Sequence, residues 1–184
     1  MSRVDVFFAE GFEEIEALTV VDLLRRAGIE TDMVSVTKEN YITGAHKISV
    51  KTDKTIEEVK FEEVDMIVLP GGMPGTLNLE TCNKLSEQLV IFDHEKKLIS
   101  AICAAPSILA HLGILKGRKA CSHPSVENQL EEAGVEVTNA SVEISDHITT
   151  SRGMGTAMDF GLAIVTRFSN EDVAKKIAQG IIYK

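Results

Sequence analysis

Three short apolar runs constrain this chain more than any other feature: Arg3–Phe8 (RVDVFF), residues 65–69 (DMIVL) and Leu98–Ile102 (LISAI). A strand that reads as a near-continuous apolar run must be covered on both faces, which is the condition of a parallel sheet. The segments between the runs have helical spacing. Residues 13–27 place Ile15, Leu18, Val21 and Leu24 on one face, and Gly28 stops the helix. Further helices are predicted over Asn83–Glu95, 106–112, 125–133, 156–167 and 170–179. Further strands are predicted over 30–36, 119–122, 135–138, Val142–Ser145 and 147–151, with a small hairpin at 42–50 turning at Thr43-Gly44. Apolar strands alternating with amphipathic helices give an α/β fold: a three-layer α/β/α sandwich with a mostly parallel sheet, flavodoxin-like in outline. At 184 residues the chain suits one domain spanning 1–184.

Charge and composition exclude several functions. Nineteen Lys and Arg against 28 Asp and Glu give a net charge of −9, which repels a phosphate backbone or an anionic membrane surface. There is no Trp and aromatics are 5%, so no base-stacking platform is expected. Asp5 and Glu10 interrupt the N-terminal apolar stretch, unlike a secretory signal. Residues 101–115 contain Pro106, Ser107, His111 and Gly113 and fall short of the roughly 20 residues a spanning helix needs. Cys82, Cys103 and Cys121 form no CxxC pair, which suits free thiols in a reducing compartment. A cytoplasmic protein is expected, with no specific nucleic-acid or membrane partner.

In a sheet of this kind ligands bind beyond the carboxyl ends of the strands. Glu10, Gly11, Glu13, Glu14 and Glu16 follow the first strand. Pro70-Gly71-Gly72 follows DMIVL, and Cys103-Ala104-Ala105-Pro106 follows LISAI. His123-Pro124 follows KACS, and Arg152-Gly153-Met154-Gly155-Thr156 follows the last strand. A thiol, an imidazole, carboxylates and two glycine-rich loops are thereby brought to one edge.

Cys103 has small residues two positions away on each side, Ala101 and Ala105, as a strained strand-to-helix elbow requires. Pro106 opens the following helix, whose positive end favours thiolate over thiol. The alternative is a buried structural cysteine. His123 is either a base or proton shuttle for the thiol or a turn histidine bonded to nearby backbone. Glu13 and Glu16 share a helix face; an acid cluster in a first helical turn is also ordinary dipole chemistry. An inward, protonated carboxyl would donate a hydrogen bond to the thiolate. Gly71 and Gly72 could present N–H groups to an oxyanion, or merely make a tight turn. Arg152 with Thr156 could hold a small anion, or act as a surface charge and a cap. Cys121 and His123 alone make a weak metal pair, so no metal site is assigned.

GFEEIE (residues 11–16), LPGG (69–72), AICAAP (101–106), SHP (122–124) and TSRGMGT (150–156) stand in an order that resembles the ThiJ/PfpI family over essentially the whole chain. The likeness is greatest to its branch around the Parkinson-disease deglycase and bacterial YajL. The resemblance implies a flavodoxin-like homodimer with Cys103 as the reactive cysteine. It implies a protonated glutamate at Glu16 (rather than Glu13 or Glu14), a nearby histidine at His123, and an oxyanion site at Gly72 and Ala104. Family members are described as cofactor-free glyoxalases, deglycases of methylglyoxal adducts, oxidative-stress sensors and chaperones. The protease-like branch has a histidine directly after its cysteine; here that residue is Ala104, which speaks against a peptidase or amidase.

The expected function is therefore a cysteine-dependent, cofactor-independent glyoxalase and deglycase acting on small aldehydes or glycated adducts. A redox sensor or chaperone that oxidises Cys103 is the alternative.

Overall fold

The computed structural model describes residues 2–183. In chain order the elements are β1 (Arg3–Phe8), α1 (Glu14–Arg26), β2 (Glu30–Ser35), β3 (Tyr41–Thr43), β4 (Ser49–Lys51), β5 (Lys54–Thr55), β6 (Met66–Leu69), α2 (Gly75–Glu80) and α3 (Asn83–Glu95). Then come β7 (Leu98–Ile102), α4 (Pro106–His111), β8 (Lys119–Ala120), α5 (Glu127–Glu132), β9 (Glu136–Val137), β10 (Val142–Ser145), β11 (Ile148–Ser151), α6 (Ala157–Phe168) and α7 (Glu171–Gly180). Short 3-10 turns lie at Ile56–Glu58, Phe61–Glu63, Pro124–Val126 and Met154–Thr156.

Seven strands form the central sheet in the order β10-β11-β7-β6-β1-β2-β5. Every neighbouring pair is parallel except the edge pair β10–β11. Period-two alternation splits the central strands between two cores. Val4, Val6, Phe8, Met66, Val68 and Ile102 face α1 and α6, where Ala17, Val20, Leu24, Phe160 and Ile164 complete one apolar layer. Phe7, Ile67, Leu69, Ile99 and Ala101 face the opposite layer, filled by Leu85, Leu89 and Phe92 of α3 and Ile108 and Leu109 of α4. The three-layer sandwich expected from the apolar runs is the observed fold.

The differences are local. Residues 75–80 form α2, which carries too few apolar repeats to read as a helix in isolation. β5 has two residues and exists through its pairing with β2. The expected hairpin at 42–50 is a separate two-stranded sheet, β3–β4. The helix expected over 125–133 opens as a 3-10 turn and becomes α only from Glu127.

β7 lies between β6 and β11, and β6 lies beside β1. The loops leaving the carboxyl ends of these four strands are therefore neighbours.

Candidate active site

Cys103 directly follows β7. Its N–H donates to the Ser151 carbonyl at 3.0 Å, and its own carbonyl accepts the His123 N–H at 2.8 Å. Held from both sides, the residue adopts φ +65°, the left-handed region that non-glycine residues avoid. Ala101 and Ala105 are fully buried and leave room for the tight turn. The strained elbow expected from AICAAP is present.

Glu16 projects from the first turn of α1 and is 1% exposed. Its Oε2 accepts the Gly71 N–H at 2.8 Å. The carboxyl also accepts the Met154 N–H and shares a hydrogen bond with the Cys103 side chain. Burial raises its pKa to about 7, against the opposing effect of these hydrogen bonds. A carboxyl that is half protonated near neutrality can both donate and accept a proton there.

The thiol differs from the sequence expectation. The helix end after Cys103 argues for a lowered pKa. Instead, burial first, then the Glu16 charge and its hydrogen bond, push the thiol up to about 12. The backbone N–H groups of Ala104 and Gly72 act in the opposite direction. When the carboxyl is neutral its charge no longer repels the sulfur, and its proton can bond the thiolate. A thiolate here corresponds to the tautomer with the proton on Glu16 and the negative charge on Cys103, a property of the pair rather than of either residue.

The fold also distinguishes the three glutamates. Glu13 caps α1, its side chain accepting the Ile15 N–H at 3.5 Å. Glu14 turns away, with Oε1 accepting the His46 N–H at 2.8 Å and Oε2 lying 2.9 Å from the His46 ring. Glu16 alone reaches the cysteine. Gly71 permits this approach, because a Cβ there would lie 2.6 Å from the Cys103 Cβ and 2.7 Å from the Glu16 Oε2.

Cys103, Glu16, Glu13, His46, His123, Arg152, Gly153 and Thr156 line an open cleft of about 540 Å³. Gly153 sits where the Cys103, Glu16 and His123 side chains meet. A methyl on it would be 3.8 Å from His123 Cδ2, 3.9 Å from Cys103 Sγ and 4.0 Å from Glu16 Oε1. The His123 Nδ1 accepts the Ser125 N–H at 3.2 Å, with the Ser125 hydroxyl 2.8 Å away. Arg152 lies 3.4 Å from Glu127. Thr156 Oγ1 bonds both the N–H and the carbonyl of Gly153, at 3.1 and 2.9 Å, and Ser151 Oγ at 2.7 Å. That ring of bonds shapes the loop that offers the Met154 N–H to Glu16.

Gly153 and Met154 lie in the glycine-rich loop that the sequence brought to this edge, whereas His46, held beside the cleft by its bonds to Glu14, was not singled out. The closeness of Gly153 and Met154 to Cys103 depends on β11 lying beside β7. Cys121 and His123 do not form a metal pair: the Cys121 thiol lies against Thr150 in the interior, while His123 is exposed and faces Ser125. Among the described residues, Glu13, Glu14 and His46 bring metal-ligand atoms within 4.8 Å of one another.

Comparison with known proteins places this geometry in context. The DJ-1/PfpI family model matches residues 2–167. The glutathione-independent glyoxalase DJR-1.2 of Caenorhabditis elegans is 35% identical over 156 residues, 85% of this chain and 82% of that one. The deglycase PYRAB04690 of Pyrococcus abyssi is 33% identical, over 83% of this chain and 91% of that one. The solved structure of oxidized Toxoplasma gondii DJ-1 superposes with a TM-score of 0.94 at 36% identity, covering 100% of this chain and 99% of that one. Some relatives are longer: the chain spans 46% of protein DJ-1 homolog A of Arabidopsis thaliana, to which it is 34% identical.

Proposed function

The chain belongs to the DJ-1/PfpI family, and on that premise we propose that it is a cysteine-dependent, cofactor-independent glyoxalase and protein deglycase acting on methylglyoxal or its adducts. The observation that carries this reading is the buried Glu16 carboxyl bonded to Cys103, with the Gly72 and Ala104 N–H groups facing the same sulfur.

The thiolate of Cys103 attacks the aldehyde carbon. A C–S bond forms, and the carbonyl electron pair moves to oxygen, where the backbone donors at Gly72 and Ala104 receive it. The Glu16 proton neutralises that oxyanion. Glu16, now a carboxylate, takes the proton from the former aldehyde carbon and returns it to the neighbouring carbon, while the hydroxyl proton on the first carbon passes to the oxygen of the second. The hemithioacetal thereby becomes a thioester, oxidised at one carbon and reduced at the next, with no external redox partner. Water cleaves the C–S bond, giving lactate and the free thiol. A carboxyl that titrates near pH 7 suits both directions of proton transfer. Gly71 lets Glu16 reach the sulfur, and His123 and Arg152 contribute to binding the substrate's oxygens.

The test is lactate formation from methylglyoxal by wild type and Cys103→Ala. Loss of turnover in the variant is expected; full turnover without the thiol overturns the mechanism.

A second reading is favoured by one feature of the same geometry. The two backbone N–H groups and the carboxyl proton around Sγ would also hold the oxygens of a Cys103 sulfinate, as in a sensor of oxidative stress or a redox-controlled chaperone. Mass spectrometry after mild peroxide separates the two: selective gain of two oxygens at Cys103 with negligible aldehyde turnover favours the sensor.

The same proposal includes a homodimer in the cytoplasm. Ile15, Ile48 and Met154 are each about half exposed on the face beside the cleft, the kind of apolar surface that a second copy would cover. Three free cysteines suit a reducing compartment.

A further inference from the structure

We propose that Ser125 is a positioning residue that fixes His123 as a hydrogen-bond donor to the reacting dicarbonyl, rather than as a base toward Cys103. The inference rests on the substrate class proposed above.

His123 caps the 3-10 turn Pro124–Val126 with its own ring. Its Nδ1 accepts the Ser125 N–H at 3.2 Å, and the Ser125 hydroxyl stands 2.8 Å from the same nitrogen, placed to donate to the same lone pair. A neutral imidazole has one protonated and one bare nitrogen. With Nδ1 bare, the proton is on Nε2. The Cδ2 edge of the ring, next to Nε2, faces the cleft: the point 3.8 Å from Cδ2 is also 3.9 Å from Sγ. A base for the thiol would need a bare Nε2, and Ser125 holds the ring in the opposite form. The proton acceptor of the site is therefore Glu16. The Nε2–H is left to bind an oxygen of the substrate.

A 1,2-dicarbonyl has two adjacent oxygens. The Gly72 and Ala104 N–H groups receive the one on the attacked carbon, and the His123 Nε2–H receives the other. Negative charge that builds on the second oxygen during the proton shift is thus met by a neutral donor, and no proton leaves the ring.

The experiment uses 15N-labelled protein and histidine-ring NMR, alongside turnover of methylglyoxal. Wild type is expected to show a bare Nδ1 and a protonated Nε2. Ser125→Ala keeps the backbone donor, and part of the Nε2–H population is lost; Ser125→Thr restores it. Ser125→Asp places an acceptor opposite Nδ1, draws the proton to that nitrogen, and lowers kcat about a hundredfold with little change in KM, as for loss of one donor to a developing oxyanion. A protonated Nδ1 in neutral wild-type His123 overturns the proposal, as does unchanged kcat in Ser125→Asp once its proton has moved to Nδ1. The NMR result stands independently of the substrate. The expected tautomer in a wild type that converts no aldehyde supports the Ser125 assignment and sinks the substrate reading.

Discussion

The Glu16 carboxyl, buried at the start of α1, shares a hydrogen bond with the Cys103 thiol at the end of β7, 87 positions away in the sequence. Each changes the other's charge. An ionised Glu16 holds the thiol protonated, and a neutral Glu16 releases it.

Glu16→Gln therefore separates nucleophile formation from catalysis. The amide is neutral at all pH values, so the charge that helps push the thiol to about 12 is gone. Alkylation of Cys103 by iodoacetamide at pH 7 is expected to be faster than in wild type. Lactate formation is expected to fall by a factor on the order of 10²–10⁴, because the proton carrier has been removed. Slower alkylation in the variant would contradict the assigned coupling.

Stability should decline as pH rises through the weakly acidic range. The Glu16 pKa is raised from 4.5 to about 7 and that of the fully buried Asp5 from 3.8 to about 6, in both cases chiefly by burial. The folded state then binds more protons than the unfolded state between about pH 4 and 7, and stability falls with pH over that window. Each group contributes on the order of 3 kcal/mol to the decline. Urea midpoints measured from pH 4 to 8 should show the slope, and Asp5→Asn should flatten it; a flat wild-type profile would argue against both shifts.

Gly153→Ala and Gly71→Ala should fail differently. The methyl at 153 makes contacts of 3.8–4.0 Å, so the fold accepts it, but it fills the space between Sγ, His123 and Glu16. Near-normal thermal stability and a kcat/KM lowered about tenfold, corresponding to some 1.4 kcal/mol, are expected. The methyl at 71 meets the Cys103 Cβ at 2.6 Å and must displace backbone or Glu16. That variant should lose about 1–3 kcal/mol of stability as well as its activity. Calorimetry and steady-state kinetics on the same samples decide both points.

Ile48→Glu addresses the proposed dimer. Ile48 is 54% exposed and lies on the face that carries Ile15 and Met154. A charge there should shift sedimentation from dimer to monomer with the circular dichroism unchanged. A wild type that sediments as a monomer would remove the two-fold arrangement.

The apolar runs at 3–8, 65–69 and 98–102 and the helical spacing at 15, 18, 21 and 24 were sufficient to predict the layers, because burial on both faces leaves a strand few other compositions. Elements without a pattern of their own escaped. β5 is two residues long and depends on β2, and α2 is a single six-residue segment whose partners lie elsewhere in the chain. The elbow at Cys103 was legible from its small neighbours, since a left-handed turn needs them locally. The distances were not legible: the loop after β11 was placed at this edge by the sequence, but Gly153 comes within reach of Cys103 only because β11 lies beside β7.

Reading along the chain was enough to place the candidate residues after the carboxyl ends of strands, because hydrophobic period and turn chemistry are local properties. Which glutamate meets the sulfur and how its charge acts on the thiol depend on the packing of α1 beside the end of β7, which no local pattern carries. The rotation of α1 sends Glu14 to His46 and Glu16 to Cys103. Desolvation and hydrogen-bond direction depend on everything that surrounds a group. The helix end next to Cys103 argues for a thiolate; burial with Glu16 overrides it, because a charge removed from water responds most to the nearest group that can share its proton.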